Sequence, residues 1–128
     1  MTEKDTFICF MNEMHKWESY ATNIGLANNL DEHREIVRNI FNKYCTPKDR
    51  KRGKPNILSA SSISSYDLST QPIYNIEYKT KKTIIYTKQK NKAENNFRYT
   101  LILKNDKWLI DKKEISYNNG ESWESSIL

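Results

Sequence analysis

The sequence predicts an α+β domain with helices packed on one face of an antiparallel sheet. Three observations predict it. Apolar residues recur at steps of three and four up to about residue 45, they alternate from about residue 73 onward, and a two-residue turn near residue 105 joins two of the alternating runs. The chain of 128 residues is too short for two separate cores. The expected layout is helices over about 3–45, a basic loop over 46–56, a sheet over about 57–116 and a tail over 117–128.

The first helix rests on Phe7, Phe10, Met11, Met14, Trp17, Ala21 and Ile24, which fall on one stripe at helical spacing, with Gly25 as terminator. The second starts at Asn29, where Glu32 three residues on suggests a capping box. His33, Ile36, Val37, Ile40, Phe41 and Tyr44 form its stripe, and the helix must stop before Pro47. Two prolines, a glycine and a run of charges make 46–55 an exposed loop.

Residues 57–66 are Ser-rich and suit an edge strand at best. Residues 73–79 alternate, with Tyr74, Ile76 and Tyr78 on one face, and 83–89 hold Ile84, Ile85 and Tyr86. A polar connection over 90–96 leads to the clearest hairpin, 97–104 and 107–115 about Asn105-Asp106. Pairing Lys104 with Lys107 sets Leu103 beside Trp108 and Leu101 beside Ile110, on a face that Tyr99 extends. The same register pairs Ile102 with Leu109, Thr100 with Asp111 and Arg98 with Lys113 on the other face. A slip of one residue would bury Arg98, Asp111 and Lys113, so the apolar pattern specifies the register.

Composition narrows the function. No run approaches the ~20 apolar residues of a membrane span, and the apolar run 7–11 is too short for the core of a signal peptide. These features predict a soluble, cytoplasmic protein, with Cys9 and Cys45 as reduced thiols and no membrane partner. The formal charge of +5 is uneven: residues 1–45 carry seven acids against five bases, whereas 46–56 carry five bases against one acid. Nothing in the sequence has the spacing of a metal site, a phosphate-cradling loop or a nucleophile elbow, so neither cofactor nor metal is expected. His15 and His33 are the only histidines, and both sit where a helix-edge histidine packs. No catalytic residue is assigned.

The first-helix pattern Phe7-x-x-Phe10-Met11-x-x-Met14-x-x-Trp17 and the hairpin stretch Asn105-Asp106-Lys107-Trp108-Leu109-Ile110-Asp111 resemble the nuclear transport factor 2-like fold, a cystatin-like cone. More specifically, the chain looks like the immunity proteins of that fold from bacterial polymorphic toxin systems. The resemblance implies helices lying in the concavity of a curved sheet, and a cytoplasmic protein that binds and blocks a cognate toxin domain without catalysis. It equally admits a small-molecule-binding protein, or a lyase or isomerase, using the pocket of the same fold.

Candidate partner-binding residues come from the surface. Lys48, Arg50, Lys51 and Arg52 supply a basic loop, which is either a solvated connection or a contact for an acidic protein surface. Nucleic acid is not expected, because no aromatic residue is interleaved with these bases for stacking. In the tail, Tyr117 and Trp123 either pack back or anchor a partner. A homodimer is left open.

Overall fold

A computed structural model describes residues 1–60, 64–91 and 93–128. Helix α1 spans Glu3–Ile24 and α2 spans Leu30–Tyr44. The strands are β1 (Ile73–Tyr78), β2 (Lys82–Lys88), β3 (Asn96–Lys104), β4 (Lys107–Ser116) and β5 (Glu124–Ser126). They form one antiparallel meander in the order β1-β2-β3-β4-β5, and the two helices pack together on one of its faces.

Thr2 caps α1, accepting from Asp5 N at 3.1 Å while the Asp5 carboxylate accepts from Thr2 N. The expected stripe is buried: Phe7, Phe10, Met11 and Met14 have no exposed surface. Gly25 ends the helix at φ 83°, a region closed to most side chains. The capping box expected at Asn29 and Glu32 does not form. Asn29 takes the left-handed conformation, φ 61°, which turns its side chain away from the first turn of α2. Asn28 instead closes the end of α1, donating Nδ2 to Ile24 O at 2.7 Å. The helices are clasped at Glu13, which accepts from Lys43 Nζ at 2.6 Å and from the Tyr44 hydroxyl.

The hairpin turn has Asn105 and Asp106 both at positive φ, 51° and 62°, as a two-residue turn of this kind requires. Lys104–Lys107, Leu103–Trp108, Ile102–Leu109 and Leu101–Ile110 pair as expected. Beyond them a bulge inserts Asp111 as an extra residue, so Thr100 faces Lys112 and Arg98 faces Glu114, correcting the pairs Thr100–Asp111 and Arg98–Lys113. From the bulge onward β4 presents the opposite side chains to the core. Leu101 and Ile110 are fully buried before it, and Lys113 is buried after it.

Three further expectations need correction. The sheet begins at Ile73, not near 57: residues 57–60 and 64–66 are irregular, and 61–63 of that expected strand lie outside the described residues, as does Lys92 of the 90–96 connection. The sheet does not end near 116, since the tail adds β5, which pairs Ser125 with Glu114 and Ser126 with Lys113. Tyr74 leaves the face of Ile76, because a register shift between Ile73 and Asn75 sets its ring against Tyr86 on the outer side, 5.9 Å away.

The connection from Cys45 to β1 covers the opening between helices and sheet. Thr46 N bonds Ile110 O at 2.9 Å, fixing its start to β4. Tyr66 and Gln71 are buried further along. Gln71 Oε1 accepts from Thr87 at 3.2 Å and from the Tyr99 hydroxyl at 3.4 Å, while its Nε2 donates to Ser65 O at 2.5 Å. The space under the sheet is filled: Phe7 lies 4.6 Å from Tyr99, and Phe10 meets Phe41, Tyr44 and Tyr66 edge-on.

Candidate partner-binding site

The basic loop owes its position to the β4 bulge. The extra residue turns the Asp111 carboxylate toward the loop, where it accepts from Thr46 Oγ1 at 2.9 Å and from Lys48 Nζ at 3.3 Å. Burial opposes the charge on Asp111, but the hydrogen bonds from Thr46 and Lys48, with the charges of Lys48 and Arg50, hold its carboxyl below the usual range. Arg50 Nη2 donates to Thr46 Oγ1 and to the carbonyls of Ile110 and Asp111 at 3.2–3.4 Å, with its guanidinium 5.8 Å from the Phe41 ring centre. Arg50 is therefore a staple, half-buried, and not the free cation that the sequence suggested. Lys51 and Arg52 remain exposed, and Lys48 is exposed but paired. Gly53 and Lys54 are buried, whereas Pro47, Asp49 and Asn56 are exposed along with the crest.

Loop and tail meet. A cleft of about 220 Å³ lies between them, with Lys48, Lys51 and Arg52 on one side and Ser125, Ser126 and Ile127 on the other. Gly53 permits this approach, since a Cβ there would sit 3.2 Å from Ile127 Cγ2. At the base are Lys113 and Leu128, 7% and 6% exposed. Lys113 Nζ stands 4.5 Å from the Phe97 ring centre and 5.6 Å from that of Tyr99. Burial pushes its ionisation down to about 8; the nearby Lys54 lowers it further and Glu18 partly offsets both. Lys54 is itself lowered by burial, against the opposing pull of Glu18, and lies 5.3 Å from the Tyr66 ring centre.

The other two candidates lie outside the cleft. Trp123, just before β5, folds back on the outer face of the sheet, 4.4 Å over Arg98 and 6.0 Å from Tyr86. Glu114 holds Arg98 in place, and the Tyr86 hydroxyl donates to Glu77 at 2.5 Å. Tyr117 is 68% exposed in the turn between β4 and β5. The six candidates thus divide: Lys48, Arg50, Lys51 and Arg52 line the cleft, whereas Trp123 and Tyr117 occupy the other end of the β5 edge. Sequence reasoning missed Lys113, Lys54, Asp111 and Arg98. The alternation around Lys113 reads as solvent-facing unless the bulge is known, and no glycine or proline marks it.

The histidines are structural. His33 is fully buried, and its Nδ1 accepts from Trp17 Nε1 at 3.1 Å, which leaves the ring proton on Nε2. His15 Nδ1 lies 3.0 Å from Ser64 Oγ. Cys45 is buried, and burial pushes its thiol up to about 12, far from a reactive thiolate. Among the described residues no helix is long and apolar enough to cross a membrane, and no three His, Cys, Asp or Glu side chains gather as metal ligands would.

Comparison with known proteins agrees with this architecture. The family model described as NTF2 fold immunity protein, where NTF2 is nuclear transport factor 2, matches residues 2–126. Immunity protein RhsIA of Dickeya dadantii (strain 3937) is 33% identical over 109 residues, covering 82% of this chain and 80% of that protein. No solved structure matches the chain. With its helices laid on a meandering sheet and a family match from Thr2 to Ser126, the chain belongs to the NTF2-fold immunity proteins.

Proposed function

We propose that this immunity protein neutralises its cognate toxin by stoichiometric binding in the cytoplasm, without catalysis, and that the basic edge formed by Lys48, Lys51, Arg52 and Lys112 faces the toxin. The observation that carries the reading is the fastening of the loop. Asp111, Thr46 and Arg50 fasten the backbone of the loop to β4 and Asp111 engages Lys48, so the loop that carries the cations loses little backbone entropy on binding. A rigid patch of one sign steers an acidic partner and rejects a basic one. The filled space under the sheet supports binding over turnover, because Phe10, Tyr66 and Tyr99 occupy the place where a substrate would sit.

The test is co-expression with the toxin encoded beside the gene. Growth is expected to be restored, and the two chains to co-purify in equal amounts. Continued cell death in the presence of abundant soluble immunity protein would defeat the reading. Charge reversal at Lys51 and Arg52 separates the finer assignment: unchanged affinity would remove the loop from the interface while leaving the immunity function intact.

A further inference from the structure

We infer that the cleft between the basic loop and β5 is a socket for a carboxylate side chain of the toxin, received by the ammonium group of Lys113. This deepens the immunity reading and rests on it.

The geometry poses a charge problem around Lys113, at the base of the cleft, to which the buried Lys54, outside the lining, adds. Lys113 and Lys54 are both more than nine-tenths buried, and Glu18, 3% exposed, is the acid that acts on both. Glu18 Oε1 already accepts from Ser65 N at 3.2 Å. Among the described residues, neither ammonium has a carboxylate within ion-pair distance or a hydrogen-bond acceptor; each instead faces aromatic rings. Buried charges are normally paired. Two cations that share one distant, occupied carboxylate leave room for a second anion.

The cleft is shaped to deliver one. Its rim carries Lys51, Arg52 and Lys112, so the field draws in negative charge. Asp111 is the acidic side chain in the lining, and it is engaged by Thr46 and Lys48. Ile127 and Leu128 provide an aliphatic wall for the methylenes of an Asp or Glu. At about 220 Å³ the space exceeds the roughly 30 Å³ share of a water molecule several-fold, enough for an acidic side chain and some solvent. A nucleic-acid backbone would need a track of cations with stacking rings, not a single depression ending on one buried ammonium.

The test uses the full chain labelled for amide NMR and three probes: a short capped tri-glutamate peptide, its tri-glutamine analogue, and a thymidine oligonucleotide. The acidic peptide is expected to shift the amides of Gly53, Lys113 and Ser126 saturably, and the glutamine peptide to leave them unmoved. Lys113→Met, which keeps the stem and removes the charge, should weaken the peptide and the co-expressed toxin by at least about tenfold. Lys112→Met at the rim should cost each only about twofold. In the wild type the Lys113 Nζ resonance should titrate at higher pH once the peptide is bound, a readout that does not require any variant to fold. Equal binding of the glutamine peptide, tighter binding of the oligonucleotide, or an Nζ titration unmoved by the peptide would each overturn the socket. Failure of the wild type to restore growth bears on the immunity reading alone, because the peptide measurements are independent of it.

Discussion

Arg98 lies across from Glu114 with Nε 2.9 Å from Oε1 and Nη2 3.1 Å from Oε2, and its guanidinium plane carries the Trp123 indole at 4.4 Å. Both oxygens and one face of the cation are used at once. Glu114 holds the fork flat, and the flat fork is what the indole needs beneath it. This stack attaches the last strand to the sheet. Trp123→Ala is expected to lower stability by roughly 1–3 kcal/mol. Arg98→Ala should cost about 1–2 kcal/mol. The double variant should cost less than the sum of the two, because each single change already dismantles the stack. Urea unfolding of the four proteins measures the coupling; strict additivity would show that the contacts are independent.

Lys113 makes stability depend on alkaline pH. Its ionisation is lowered from 10.5 to about 8 in the folded protein, so below pH 8 the folded state holds a buried charge that it would be better without. That cost, on the order of 3 kcal/mol, is fully present below about pH 8 and is relieved as the pH rises toward 10.5. Tyr66 and Tyr99, both raised by burial, act in the other direction above pH 10, where the unfolded chain ionises and the folded chain does not. The melting temperature should therefore stay level up to about pH 8, climb above it, and fall again above 10. Lys113→Met should start higher at pH 7 and show a smaller climb, the part that the buried Lys54 contributes. Thermal scans across this range decide it, and a flat wild-type profile would contradict the burial of the charge.

Asp111 ties the basic loop to β4. Its carboxyl is held below its free value of 3.8, so its contribution to stability is complete above that value and fades as the pH falls through the lower folded one. Asp111→Ala removes the acceptor for Thr46 and Lys48 and should cost about 1–2 kcal/mol. It should also raise hydrogen exchange across residues 46–53 without disturbing β2 or β3. Exchange that rises evenly through the sheet would indicate global loosening instead.

Charge reversal of Lys51 and Arg52, both exposed and free of any role in the core, should leave melting unchanged. It should slow toxin association by about tenfold at low salt, and by much less at 0.5 M salt, where screening reduces electrostatic steering. Stopped-flow rates at two ionic strengths measure this. Equal slowing at both would point to a lost direct contact.

The helices were legible in the sequence because a stripe such as Phe7, Phe10, Met14 and Trp17 has one period and one face to bury. The cap at Asn29 was not, because its side chain depends on a backbone dihedral that residue identity does not determine. The hairpin was legible from Lys104–Lys107 to Leu101–Ile110, as far as the tight turn dictates pairing. Past Asp111 the reading fails, and with it the placement of Lys113, the most consequential side chain of the candidate site. The same blindness covers the meeting of loop and tail, since Gly53 and Ile127 are far apart in sequence and touch only through the fold. That the loop was basic could be read; that Arg50 is spent on carbonyls of β4 could not.

The bulge at Asp111 also shapes how a lineage of such proteins can change. Every outward-facing or inward-facing assignment in β4 beyond that point hangs on a single codon. Its loss would turn Glu114 toward the interior and Lys113 toward water in one mutational step, and would strand Trp123 without its platform. The crest of the loop has no such dependency, because Lys51 and Arg52 can be exchanged one at a time while the strand beneath keeps its phase. Substitutions at the crest leave the strand untouched, whereas an insertion or deletion in β4 shifts the phase of every residue beyond it.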